Sequence, residues 1–133
     1  AASITGPRTG KPARSMMARR RSTSAAATAV SLPDGFDAAS PNQSKLFKHD
    51  LEAGGKQVHD FGTGHIPGEF VFVPRKEGSS EDDGWLMGYV VNMAEETADL
   101  VILNAQDFSG APVATVHIPH RIPPGFHGNW VTG

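Results

Sequence analysis

The strongest constraint on this chain is the run Trp85 to Met93, which is apolar in both of its period-two sets. One set reads Trp85, Met87, Tyr89, Val91, Met93 and the other Leu86, Gly88, Val90, Asn92. A strand there turns apolar surface to both sides of its sheet. Phe70 and Phe72 oppose Val71 and Val73 in the same way. A lone meander in water keeps one polar face, so a sheet of this kind belongs between others, as a propeller blade does between its neighbours. The chain has too few strands to supply those neighbours.

Short apolar runs at close spacing, set off by turn chemistry from Leu32-Pro33-Asp34-Gly35-Phe36 onward, predict six strands. Lys45 to Leu51 and Lys56 to Phe61 flank Glu52-Ala53-Gly54-Gly55, a hairpin signal. Glu69 to Val73, Gly84 to Met93, Asp99 to Ala105 and Pro112 to Ile118 follow as a meander. Residues 77–83 and 106–110 are its polar loops. Helical signal is nearly absent, so the fold class is all-β: an antiparallel meander forming one blade from about Glu69 to Ile118, preceded by a two-stranded hairpin.

The chemistry is narrowed by what is missing. With no cysteine, disulfides, thiolate metal sites and cysteine nucleophiles are all excluded, leaving histidine and carboxylate. No apolar run approaches the ~20 residues of a membrane helix. Charge divides the chain in two. Six of the 12 basic residues (Arg8, Lys11, Arg14, Arg19, Arg20, Arg21) and none of the 14 acidic ones precede Asp34, which leaves the remainder at about −8. Residues 1–31 are rich in Ala, Ser, Thr and Arg with no aromatic residue, and read as a basic segment that is disordered or non-native. Arg19-Arg20-Arg21 could form a nucleic-acid or anionic-surface patch, but three arginines in a solvated tail usually do not, and no nucleic-acid partner is expected. Residues 32–133 form the structured unit.

The segment Ile118 to Trp130, IPHRIPPGFHGNW, ends an apolar strand in a proline-stiffened turn. Pro119, Pro123 and Pro124 remove backbone donors, so the segment leaves its sheet and presents His127 between Phe126 and Gly128. Gly125 and Gly128 flank that pair, which points to special backbone angles or a close approach of the backbone to something else, a metal among the candidates.

Four blocks of residues together resemble the C-terminal part of the carotenoid cleavage oxygenase family, which includes the lignostilbene-type dioxygenases. They are Gly68-Glu69-Phe70-Val71-Phe72-Val73-Pro74-Arg75, then Glu81-Asp82-Asp83-Gly84-Trp85, then Leu103-Asn104-Ala105-Gln106-Asp107, and finally Pro123-Pro124-Gly125-Phe126-His127-Gly128. Each block alone is a weak match, whereas four in the right order and spacing make a strong one. The resemblance runs from about Leu32 to Trp130, and its abrupt start suggests out-of-frame or otherwise non-native sequence before it.

The resemblance implies a seven-bladed β-propeller, of which this chain supplies a C-terminal blade, holding one non-haem Fe(II) by four histidines. His127 matches the last of these ligands, and Glu69 matches a carboxylate that orients a ligand histidine; the other three ligands lie on upstream blades, which the site requires. Imidazole suits Fe(II), and a carboxylate on the other ring N–H fixes the tautomer. The implied reaction is O2-dependent cleavage of a conjugated carbon–carbon double bond in a carotenoid, apocarotenoid or stilbene to two carbonyl products. The resemblance also leaves room for peripheral membrane contact of the full-length protein, with a cytoplasmic location expected. Phe70 stands where many members have proline, a change of strand stiffness and not of ligation.

Other readings of the same residues compete. A non-catalytic β module or inactive remnant would keep the pattern without the chemistry, and one ligand of four makes no tight site alone. His117, His120 and His127 form a rival zinc set, opposed by the alternation that turns His117 and His120 to opposite faces unless Pro119 breaks the strand. Glu81-Asp82-Asp83 lacks the alternating ligands of an EF-hand and reads as a solvated turn. His49 and His59, on hairpin strands with charged neighbours, are expected to face solvent.

Overall fold

A computed structural model of the chain describes residues 28–33, 39–123, 128–131 and 133. Strands β1 (Thr28–Ser31), β2 (Lys45–Asp50) and β3 (Lys56–Asp60) form a three-stranded antiparallel sheet. Strands β4 (His65–Pro74), β5 (Gly84–Asn92), β6 (Thr97–Asn104) and β7 (Ala114–Ile118) form a four-stranded antiparallel meander in chain order. One turn of 3-10 helix, Ala105–Asp107, follows β6, its first free N–H taken by the Asn104 side chain, which accepts from Gln106 N at 2.9 Å. The all-β antiparallel architecture is the one the alternation demands, with β4 to β7 as the expected blade.

All six predicted strands form. The seventh, β1, lies within the segment set apart as unstructured. It has one buried apolar residue, Val30 at 1% exposure, and is held by full antiparallel pairing with β2 from Thr28↔Asp50 to Ser31↔Phe47. The N–H of Thr28 donates to Glu81 Oε1 at 2.8 Å. The expected two-stranded hairpin is therefore a three-stranded sheet. Its β2–β3 turn is closed by Asp50, whose Oδ1 accepts from the N–H groups of Glu52 and Ala53, and by Gly54 at φ 79°.

Register decides which face of the blade is buried. Phe70, Gly88 and Val101 align across β4, β5 and β6, as do Phe72, Leu86 and Leu103. Phe70, Leu86 and Leu103 are each at 0% exposure. This face closes over Val30 and Leu46 of the first sheet, and Phe108 from the loop after β6 completes the core. Polar ties cross the same junction: Lys48 Nζ donates to Ala105 O at 2.6 Å and pairs with Asp82 at 3.4 Å.

His59 does not face solvent as expected. It is 8% exposed, its Nδ1–H donates to Phe108 O at 2.8 Å, and its ring lies 4.5 Å from that of Phe61. Since a carbonyl only accepts, Nδ1 carries the proton. His49 is half-buried, with Nε2 2.8 Å from Ser31 Oγ.

Gly88 is a packing requirement. A Cβ there would lie 2.5 Å from Phe70 Cδ1 and 2.8 Å from Glu69 O, and the fully buried Phe70 ring has nowhere to retreat. Gly88→Ala is expected to destabilise the protein by about 1–3 kcal/mol through overpacking. A urea midpoint equal to that of the parent would contradict this placement of the Phe70 ring.

Candidate functional site

Glu69 owes its direction to an irregularity in β4. Pairing runs Pro67↔Val90 and then Phe70↔Gly88, so β4 carries one residue more than β5 across this interval. The result is a β-bulge at Gly68-Glu69. It places Pro67 and Phe70, three apart, on the same buried face, where strict alternation would oppose them. Glu69 then emerges with Ile66 and Val71 on the opposite face. The bulge also explains how a proline enters the strand, since β4 is an edge strand, where a missing donor is tolerated.

That opposite face is the second apolar surface anticipated from Trp85 to Met93. Met87, Tyr89, Val91, Met93 and Leu100 line a cavity of about 640 Å³ there, with Glu69 and the C-terminal residues Ile122 and Gly128 on its border. The surface is only partly covered: Tyr89 is 45% exposed, Met93 40% and Val116, on the neighbouring β7, 52%.

Glu69 also reaches the C-terminal segment directly. Its Oε2 accepts from the backbone N–H of Gly128 at 3.0 Å, across 59 residues of chain. The bond does not require glycine, since a Cβ at Gly128 would make only an ordinary contact with Val71 Cγ1 at 3.8 Å. His127 itself lies outside the described residues. Gly128 N belongs to the peptide that follows His127, and Glu69 is bonded one covalent link away from the residue it was expected to serve.

Among the described residues, no three of His, Asp and Glu stand close enough together to hold a metal ion. His117, from the rival zinc set, is paired differently: its Nδ1–H donates to Asp99 Oδ1 at 2.9 Å on the exposed β6–β7 edge. The Glu81-Asp82-Asp83 turn is not the solvated one expected: Glu81 is 3% exposed, with Oε1 accepting from Thr28 N–H, and Asp82 and Asp83 are engaged with Lys48 and Arg75. On the other sheet, the Ser44 hydroxyl and then the Gly62 N–H hold the Asp60 carboxyl below the usual carboxylate range.

Neither the bulge nor the Glu69–Gly128 bond was read from the sequence. Pro67-Gly68 ahead of an alternating run was the available signal for the bulge, and the bond, made by a backbone N–H, had none.

The chain matches, over residues 7–132, a family model described as retinal pigment epithelial membrane protein. That match begins upstream of Leu32, where the residue-level resemblance starts. The chain is 39% identical over 103 residues to a carotenoid cleavage oxygenase of Mycobacterium tuberculosis, covering 76% of this chain and 20% of that protein. It is 37% identical over 93 residues to resveratrol cleavage oxygenase 1 of Aspergillus fumigatus, covering 70% and 18%. The structure of the cobalt-substituted Synechocystis apocarotenoid oxygenase superposes with a TM-score of 0.65 at 38% identity, over 71% of this chain and 19% of that one. The chain spans about a fifth of the length of the relatives it matches. Matched by the family model over nearly its whole length and by the fold of its described strands, the chain belongs to the carotenoid oxygenase family, to which the retinal pigment epithelial membrane protein model corresponds.

Proposed function

We propose that this chain is the C-terminal part of a non-haem Fe(II) dioxygenase. The whole protein cleaves a conjugated double bond of a carotenoid, apocarotenoid or stilbene with O2. Both oxygen atoms are used and two carbonyl products leave. The observation that carries this reading is Glu69, aimed by a bulge away from the core and bonded to the peptide that follows His127. The relatives' names supply the substrate classes, and the cobalt-substituted relative supports a metal.

The donor set fits a share of a histidine-rich site and not a complete one. His127 offers an imidazole, and Glu69 a carboxylate to accept from the other ring N–H. The remaining donors belong on upstream blades. Iron supplies the redox chemistry that lets O2 react with a double bond. The chain's own residues do the rest: His127 donates an electron pair, and Glu69 fixes the tautomer and direction of that ring. The apolar face around Met87, Tyr89 and Val91 packs against the neighbouring blade, keeping water away from the site's flank.

The test is conversion by the full-length protein loaded with Fe(II), offered a carotenoid, an apocarotenal and resveratrol in separate assays. One class is expected to yield two carbonyl products with one O2 consumed per bond broken. Failure of all three with iron bound would overturn the reading in favour of a non-catalytic relative.

Glu69→Gln is the milder of the two site changes, because the amide oxygen still accepts a hydrogen bond while the charge that raises imidazole basicity is lost. A loss of ~10–100-fold in turnover is expected. A loss equal to that of His127→Ala at saturating iron would show the two roles to be misassigned.

A further inference from the structure

We propose that Glu69 is also a positioning residue acting through the backbone: the bulge at Gly68-Glu69 aims its carboxylate at Gly128 N–H, pinning the C-terminal segment to the outer face of the blade. This rests on the reading of His127 as a ligand only for its consequence at the metal; the tether itself is a matter of geometry. Three observations support it. The bond is 3.0 Å long and spans 59 residues, so it closes a long loop. The segment it holds has little burial of its own, with Gly128 and Asn129 exposed, Trp130 46% exposed and Val131 77%. Pro119 and Pro123 upstream have no N–H to donate, which weakens any sheet pairing that would fix the segment another way.

A carboxylate has two oxygens and about four lone-pair sites, so accepting from Gly128 through Oε2 does not compete with accepting from an imidazole. A bond to an ionised acceptor is also roughly twice as strong as a neutral one. Glu69 thus holds the peptide nitrogen that follows residue 127, in addition to the orienting role proposed for it.

Gly128 allows the tether to be broken from the other side. A Cβ at that position would meet Val71 Cγ1 at 3.8 Å, an ordinary contact. Gly128→Ala therefore keeps the donor with no clash among the described residues, while Gly128→Pro removes it. Amide exchange is measured by mass spectrometry on the full-length protein stripped of metal, following the peptide that carries Gly128. In Glu69→Ala that amide is expected to exchange roughly tenfold faster, as suits the loss of a bond to a charged acceptor. In Glu69→Gln, whose amide oxygen still accepts, most of the protection is retained. An unchanged rate in Glu69→Ala overturns the tether.

The metal-free measurement does not depend on whether His127 is a ligand. That assignment fails separately, if His127→Ala retains full metal content. Should Glu69→Ala not fold, metal retention decides: Gly128→Pro is expected to hold less metal after dialysis than Gly128→Ala. Equal retention by the two Gly128 variants contradicts the proposal.

Discussion

In the full-length protein, His127→Ala is expected to abolish oxidative cleavage. The loss should go well beyond the ~10–100-fold that follows removal of a ligand's hydrogen-bond partner. Alanine offers no electron pair. Three of the five other described histidines are committed elsewhere: His59 is buried against Phe108, His117 is bonded to Asp99, and His49 contacts Ser31. Steady-state turnover at saturating iron is the measurement. Near-normal turnover would remove His127 from the metal site.

The 133-residue chain alone is expected to show no turnover of carotenoid or stilbene, and to self-associate. The first expectation follows from the donor set, since no described group of three His, Asp and Glu converges. The second follows from the blade's outer face, where Tyr89, Met93 and Val116 are 45%, 40% and 52% exposed on one contiguous sheet. Light scattering and a product assay on the isolated chain check both. Cleavage by this chain alone would mean that the site is complete without upstream blades.

The strands of the blade were legible because period-two alternation is a local signal. Trp85 to Met93 and Asp99 to Ala105 carry enough apolar residues to define strands without knowledge of the partner. Thr28–Ser31 does not: a single valine among small and polar residues becomes a strand only through pairing with β2 and the long-range bond from Thr28 to Glu81. His59 was misplaced for a similar reason. Its neighbours Lys56 and Asp60 mark a solvated strand, and what buries it is Phe108, 49 residues later.

The candidate site was legible in part. Glu69 was singled out by its place in a motif, yet the motif gave no clue that Gly68-Glu69 forms a bulge. The strand expected from Glu69 to Val73 begins four residues earlier, at His65. The bulge admits proline to an edge strand and reverses the facing of Glu69 relative to Pro67. The partner of Glu69 lies 59 residues away, beyond the reach of any local pattern.

The most direct test of the central claim, that this chain contributes one histidine to a metal centre built with upstream blades, is a crystal structure of the full-length protein with anomalous data at the metal edge. The account predicts a single anomalous peak at bonding distance from the His127 imidazole, with the Glu69 carboxylate on that ring's other nitrogen and on Gly128 N–H. A peak coordinated entirely by other residues, with His127 turned away, would contradict it.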